Sequence, residues 1–285
     1  MKIGLVTCLE LPEPDEDEEL LLHAVRDAGV EASLVSWDDP ELGFEGFDAM
    51  ILRSTWNYHL QLDRFQRWVE EASRNTVLLN PPDVVRENAH KGYLLDLEAQ
   101  GIRVVPTALF PRGRGGSLRA LCDERGWNEV VIKPAVSGGS FETHRFGTER
   151  LEEAQTTFER LVADRDVIVQ PYLPAFENPG EHSVVWIDGV FTHTIHKHPR
   201  FADQDESVEI VENDPAELAM AERLIAPYAD RILYGRVDLI ESAEGPLLCE
   251  LELIEPSLFL ARHPPALERL VQGTLRRVEQ LTKRA

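Results

Sequence analysis

The stretch "GPLLCELELIEPSLF", residues 245–259, decides how this chain is read. It is an apolar run carrying Glu250, Glu252 and Glu255. Side chains alternate between faces along a β-strand, so Glu250 and Glu252 point one way and Leu251 and Leu253 the other. The two carboxylates then stand roughly 6–7 Å apart, close enough to share one cluster of cations. Left buried and unpartnered, each ion would cost several kcal/mol, so a bare core position is a poor fit. Two readings stay open from the strand alone. One is a half-buried edge strand with a solvated acidic face. The other is a metal site, because hard oxygen ligands suit Mg²⁺, which is usually held by one or two carboxylates plus substrate phosphates. Two close carboxylates repel when no cation lies between them, so removing one charge is expected to leave the metal-free fold at least as stable.

Upstream, "YGRVDLIES" (234–242) reads as the partner strand, joined through a turn near Gly245. "HSVVWIDGVFTHTIHKH" (182–198) reads as a hairpin turning at Asp188-Gly189. A helix is predicted over 214–229, and an amphipathic one at the C-terminal end from Pro264. At the other end, strands are predicted at 2–8, 31–37, 47–54 and 76–80, with helices at 17–29 and 62–74 between them. Such alternation implies a parallel sheet. No GxGxxG follows the first strand, so the dinucleotide fingerprint is absent. After Pro81-Pro82 the pattern changes to a helix in two pieces (84–101), strands at 103–110, 129–136 and 167–173, and a helix at 148–164. We therefore expect a mixed α/β chain with a boundary near Pro81–Pro82.

The 285 residues are enough for two or three subdomains. A net charge of −22 argues against nucleic-acid partners bound through their phosphates, and against an anionic membrane surface. The acidic run "EPDEDEE" (13–19) reads as a solvated loop leading into a helix, where negative charge suits the helix dipole. Cys8, Cys122 and Cys249 are widely spaced and form no CxxC, so neither a disulfide framework nor a structural zinc site is indicated. No run approaches the ~18 apolar residues of a membrane span, and the N-terminus has no secretory pattern. A cytoplasmic location is expected, and a homo-oligomer is left open.

In so acidic a chain, basic residues near small or polar loops are informative. "VVIKPAVSGGS" carries Lys133 to a strand end just before Ser137, Gly138, Gly139 and Ser140. Glycines let backbone N–H groups approach phosphate oxygens, although the lysine precedes them and this is not a Walker A loop. "VQPYL" runs into a proline-bearing hinge whose free backbone groups suit an adenine edge, and Glu181 follows eleven residues after Gln170. "THTIHKHPR" holds His193, His196 and His198, and also Lys197 and Arg200. No zinc motif such as HExxH is present, and we favour Lys197 and Arg200 as anion ligands over a histidine metal site. "LRSTWNYH" sets Arg53, Trp56 and Tyr58 directly after a strand, where residues of a parallel sheet face the usual ligand crevice. Arg53 suits bidentate capture of a carboxylate. Packing of a domain junction is the competing reading for Trp56 and Tyr58.

Taken in order, "HKGYL", "VIKPAVSGGS", "VQPYL…GEHS", "HKHP", "RVDLI" and "CELELIEPS" make the chain resemble the ATP-grasp ligases over roughly residues 80–260. "LRSTWNYH", "NPPDVVRENAHKGYL" and the Glu-x-Glu strand followed by Pro256-Ser257 are most similar to the glutathione synthetase-like and cycloserine-forming (O-ureidoserine cyclo-ligase-like) group. The resemblance implies an α/β pre-domain over 1–82 and an ATP-grasp domain over 83–285. The latter would have a lid subdomain at about 104–172 and a C-terminal catalytic subdomain. It implies ATP with Mg²⁺, or Mn²⁺ in its place, and two metal ions per site. Lys91 and Lys133 would contact the phosphates, with the loop Ser137–Ser140 as lid. Gln170, Tyr172 and Leu173 would form the adenine hinge, with Glu181 at the ribose. Lys197 and Arg200 would act at the terminal phosphate, and Asp238, Glu250 and Glu252 would hold the metals. Arg53, Trp56, Tyr58 and Ser257 would face the substrate.

Two departures stand out. No basic residue lies between Arg200 and Arg223, where such enzymes often carry an arginine. Glu252 stands where relatives often have asparagine. The implied chemistry turns a small carboxylate into an acyl phosphate, which an amine or related nucleophile then captures, releasing ADP and phosphate. The alternatives are a kinase-type phosphotransferase and a nucleotide-binding protein without turnover.

Overall fold

The computed structural model describes residues 1–197 and 208–282. The N-terminal region is a four-stranded parallel sheet in the order β2-β1-β3-β4. Its elements are β1 (Lys2–Thr7), α1 (Glu18–Asp27), β2 (Glu31–Ser36), β3 (Ala49–Leu52), α2 (Leu62–Asn75) and β4 (Val77–Leu79). The strands are short apolar runs bounded by turn residues, as a sheet covered on both faces requires. Two helical pieces follow, α3 (Pro82–Asn88) and α4 (Tyr93–Ala99).

The second sheet, β5-β8-β6-β7, is antiparallel. Its elements are β5 (Ala108–Phe110), α5 (Leu118–Arg125), β6 (Glu129–Pro134), β7 (His144–Gly147), α6 (Leu151–Asp164) and β8 (Val167–Pro171). The predicted strand over 103–110 is divided at Pro106, which has no N–H to donate. Only residues 108–110 join this sheet. Residues 103–105 instead pair with Leu248: Leu248 N–H donates to the Arg103 carbonyl, and Val105 N–H to the Leu248 carbonyl, each at 2.9 Å. Helix α5 and strands β7 and β11 below were not anticipated from sequence.

The third sheet runs β11-β10-β9-β12-β13. It comprises β9 (Glu181–Ile187), β10 (Val190–Lys197), β11 (Val208–Val211), β12 (Tyr234–Ile240) and β13 (Leu247–Glu252). Helix α7 (Pro215–Ile225) precedes β12 and α8 (Pro264–Thr282) closes the chain. The Asp214 carboxylate caps α7 by accepting from the N–H groups of Ala216 and Glu217.

The site is held by the junction between the first and third sheets. One core cluster unites Ile3, Leu5 and Leu21 with Val185, Ile187, Leu270 and Val271. The fully buried Asn80 amide donates to the carbonyls of Tyr234 (2.9 Å) and Leu253 (2.8 Å) and accepts from the Leu233 N–H (2.6 Å). Strand β13 is the edge of its sheet, yet no open edge results. Asn88 and the Tyr93 hydroxyl hydrogen-bond the backbone of Leu251 and Leu253 at 2.7–3.1 Å. Side chains thus satisfy the strand groups that would otherwise invite another chain.

A candidate nucleotide and ligation site

Register decides what faces what. Asp238 opposes Glu250 and Arg236 opposes Glu252, so all four side chains share one face of the β12–β13 pair. Leu251 lies on the other face, in the core with Val237 and Leu239. The sequence reading of alternation is therefore correct, and β13 is an edge strand, but its acidic face is not solvated. It faces a set of basic groups drawn from the whole chain.

Lys133, at the end of β6, donates to Glu250 Oε1 at 2.8 Å. Lys91, between α3 and α4, lies 3.2 Å from the other oxygen of Glu250 and donates to the Ser137 carbonyl at 3.0 Å. Lys197, at the end of β10, reaches Glu181 at 2.7 Å and Asp238 at 3.5 Å. Arg236 donates to Asp238 twice, from Nε and Nη2 at 2.8 Å, and to Glu252 at 2.6 Å. Ser183 adds a 2.6 Å bond to Asp238. The expectation that Glu250 and Glu252 merely repel in the metal-free protein is corrected by these pairings. Each carboxylate already has a cation.

The pairings set the ionisation. Burial would raise Glu250, but Lys133 and Lys91 hold it down at about 2. Burial likewise opposes charge on Asp238, and Arg236 and Lys197 keep it well below the usual range. Glu252 is pushed up to about 7 by burial, against the pull of Arg236 and with the help of Asp238. Glu255, in the loop after β13, is pushed up to about 8 by burial and by Glu252. Burial also raises Glu181, in spite of Lys197.

Among the described residues, no three Asp, Glu, His or Cys side chains form a ready-made metal cage. The carboxylate oxygens of Asp238, Glu250 and Glu252 suit Mg²⁺ bound together with nucleotide. The donors are all carboxylates, and the ion ordinarily completes its shell with phosphate oxygens and water. Lysines that lie on these carboxylates are also the groups that phosphates attract, so the charge set fits an exchange of partners.

Around this core, Leu173, from the segment expected to form the adenine hinge, packs with Phe176 and Leu247 against an apolar cluster of Val105, Ile240 and Cys249. Cys249 is the extra residue of a β-bulge, since Asp238 pairs Glu250 while Leu239 pairs Leu248. Gln170 is buried and donates to Thr107 Oγ1 at 2.9 Å. Tyr172 lies under the Arg145 guanidinium, 3.3 Å from its ring centre, and donates to Glu177. In the loop after β6, Gly139 (φ 54°) and Ser140 (φ 59°) are left-handed, a conformation glycine accepts and serine resists.

The pre-domain supplies the other wall. Arg53 is 3% exposed, donates through Nη2 to the Pro256 carbonyl at 3.0 Å, and lies over the Tyr234 ring. Its Nε and Nη1 have no hydrogen-bond partner, and neither has Thr55 Oγ1. Trp56 Nε1 donates to the Glu255 carbonyl at 3.1 Å. Tyr58 is buried in the pre-domain core and stacked on Phe65, which is the packing arrangement. Ser257 accepts from Arg236 through its carbonyl at 3.1 Å. His193 and His196 do not converge: His193 bonds the Leu258 carbonyl, and His196 the Pro179 carbonyl. His198 and Arg200 lie outside the described residues. Arg236, Glu255 and His59 carried no assigned role in the sequence reading. Arg236 was within reach of it, because it lies two residues before Asp238 and so on the same face.

Residues 3–80 match the family of the D-cycloserine synthetase DcsG N-terminal domain. The cycloserine biosynthesis protein DcsG of Streptomyces lavendulae is 32% identical over 97% of this chain and 99% of its own length. A crystal structure of D-cycloserine synthetase DcsG superposes with a TM-score of 0.89 at 30% identity, covering 98% of this chain and all of that one. The fold is shared more widely. A D-alanine–D-alanine ligase of Bacillus anthracis gives a TM-score of 0.69 at 15% identity, over 100% of this chain and 99% of that one. The ordered lysine–carboxylate site and these likenesses lead to one conclusion: the chain belongs to the DcsG family of ATP-grasp ligases, ADP-forming enzymes.

Proposed function

We propose that this ligase activates the carboxylate of a small amino acid of the O-ureidoserine type and closes it onto the side-chain N–O nitrogen, as a cycloserine-forming enzyme. The observation that carries the reading is the β12–β13 face, where Asp238, Glu250 and Glu252 are matched by Lys91, Lys133, Lys197 and Arg236. The likeness to DcsG along the whole chain supports ring closure over joining two molecules.

In this reading Lys91 and Lys133 leave Glu250 for the phosphates of ATP, and Lys197 moves to the terminal phosphate. Asp238, Glu250 and Glu252, with Arg236 turned from the first and last of them, would hold two Mg²⁺, or Mn²⁺ in its place. The metal's contribution is to neutralise phosphate charge during transfer. Leu173 and its apolar neighbours flank the adenine, with the Gln170–Tyr172 backbone as the hinge and Glu181 at the ribose. The loop Ser137–Ser140 covers the phosphates and keeps water from the acyl phosphate. The substrate carboxylate, oriented by Arg53, attacks the γ-phosphorus and ADP leaves. The ring-closing nitrogen then attacks the acyl carbon and loses its proton as phosphate leaves, and water removes the carbamoyl group still on that nitrogen as ammonia and carbon dioxide, which gives the cycloserine ring. Arg236 is positioned to offset negative charge at the acyl carbon, beside Ser257. Trp56 fixes the 255–257 loop through the Glu255 carbonyl, and Tyr58, stacked on Phe65, holds the segment in the core.

The test is ADP release with Mg-ATP and each enantiomer of O-ureidoserine, beside a panel of small amino acids, followed by product mass. The expected result is ADP and phosphate together with a cyclised product for one enantiomer. A phosphorylated product would support the kinase reading, and no ADP release with any substrate would overturn the proposal.

A further inference from the structure

Glu255 stands apart from the other acidic groups of the site. Glu250 is bridged by two lysines, and Asp238 and Glu252 share Arg236. Among the described residues, the Glu255 carboxylate has no ion pair and no hydrogen bond from another side chain, although its backbone is fixed by Trp56. Beside Gly138 three acceptors meet. A Cβ on Gly138 would lie 4.0 Å from Glu255 Oε1 and 3.8 Å from both the Trp56 carbonyl and His59 Nδ1. Among the described residues neither ring nitrogen of His59 has a hydrogen-bond partner of good geometry, and the Trp56 carbonyl is the backbone group that acts on the ring.

On the same wall, among the described residues, Arg53 is a buried cation with no carboxylate in ion-pair contact, although the Asp15 charge acts on it from farther off, and Thr55 Oγ1 has no hydrogen-bond partner. Arg53 bonds the carbonyl of Pro256, the residue next to Glu255, yet the two side chains form no ion pair. Buried polar groups without partners are costly. A wall that keeps the Arg53 guanidinium and the Glu255 carboxyl apart, each with unused hydrogen-bonding capacity, is complementary to a ligand bearing a carboxylate and an ammonium, and the ammonium would hold the Glu255 carboxyl in its ionised form.

We infer that Glu255, with His59 and the Trp56 carbonyl beside it, is the specificity-determining receptor of the substrate's protonated amino group. An ammonium has three N–H donors, and three acceptors converge here. The inference rests on the amino-acid ligase reading above and adds the residues that choose an amino acid over a plain carboxylic acid.

The test compares O-ureidoserine with its deamino analogue, 3-(ureidooxy)propanoate, as substrates for ADP release. The wild-type enzyme is expected to prefer the amino acid in kcat/KM by roughly 10–100-fold, the worth of one charge-assisted hydrogen bond. Glu255→Gln is expected to lose most of that preference through the amino-acid KM. A Tm that still rises with Mg-ATP shows that the variant is folded with its nucleotide site assembled. Equal use of both substrates by the wild-type enzyme would overturn the inference without any variant. Undiminished preference in Glu255→Gln would also overturn it. No ADP release from wild type with either substrate would instead defeat the parent reading.

Discussion

The β12–β13 face, proposed to take nucleotide, and the Arg53 wall, proposed to take substrate, handle charge in opposite ways. On the β12–β13 face every carboxylate has a cation: Glu250 has two lysines, and Asp238 and Glu252 share Arg236. On the proposed substrate wall, Arg53, Thr55 and His59 keep buried polar atoms that no described residue satisfies. A compensated network is stable alone and must exchange partners when Mg-ATP arrives. An uncompensated wall adds little to stability and gains its partners from a ligand. The two regions should therefore respond differently when a charge is removed.

The largest effect is expected at Glu250. Glu250→Gln should reduce turnover by ~10²–10³ if the carboxylate matters as much as a typical transition-state electrostatic contact. It should also destabilise the nucleotide-free protein, because it leaves Lys133 and Lys91 close together without their shared anion. Breaking a buried pair costs about 3–5 kcal/mol, and partial exposure of the three side chains brings this to about 2–3 kcal/mol. Thermal melts and ADP release measure the two effects. An unchanged melt would mean that the pairing is not what holds the face together.

Nucleotide is the second probe. Mg-ATP at a hundredfold excess over Kd should stabilise the wild-type fold by ~2.7 kcal/mol. Lys133→Ala and Lys91→Ala should shrink this rise and weaken binding measured by calorimetry. A wild-type response in both variants would remove the lysines from the phosphate site.

The third effect is pH-dependent. Glu255 has its pKa raised to about 8 in the folded protein, by burial and by Glu252. A carboxyl raised on folding contributes stability below its unfolded pKa and loses it as pH rises through the folded pKa. Stability should therefore fall between about pH 4.5 and pH 8, by about 1–2 kcal/mol after solvent screening, and Glu255→Gln should flatten the fall. Melts across that window check the slope. A variant as steep as wild type would assign it to other groups.

What could be read in advance follows from the range of the interactions. Alternation along 247–252 was legible because it is a period of two within one strand. The two helical pieces over 84–101 and the Asp188-Gly189 hairpin were also local. The division at Pro106 was available in principle, but pairing of 103–105 with Leu248 depends on a contact far along the chain. Helix α5 had its signals, a Ser117 cap and Gly126 in the left-handed region, within a polar stretch of weak periodicity. Strands β7 and β11 are four residues each, too short to carry a pattern. The site was legible as a list of residue types. The pairing of Lys133 with Glu250 was not, since 117 residues separate them. Nor does sequence reveal that, among the described residues, no carboxylate makes ion-pair contact with Arg53, which is a statement about everything around it.

Arg53 gives the smallest expected change in stability, and it tests the comparison most directly. Arg53→Met keeps much of the side-chain volume and removes the charge. The losses are one hydrogen bond to the Pro256 carbonyl and the contact with the Tyr234 ring. Against them stands relief from burying a cation without an anion, since replacing buried charge by apolar groups is often neutral or stabilising. The net change in the ligand-free melt should be within about 1 kcal/mol of zero, in contrast to Glu250→Gln. Catalysis should separate the two in another way. The amino-acid KM should rise by roughly 10–100-fold, the worth of a charge-assisted hydrogen bond, while the ATP KM holds. If Arg53→Met instead unfolds as readily as Glu250→Gln, with substrate KM unmoved, Arg53 is a structural cation and the two walls of the cleft are alike.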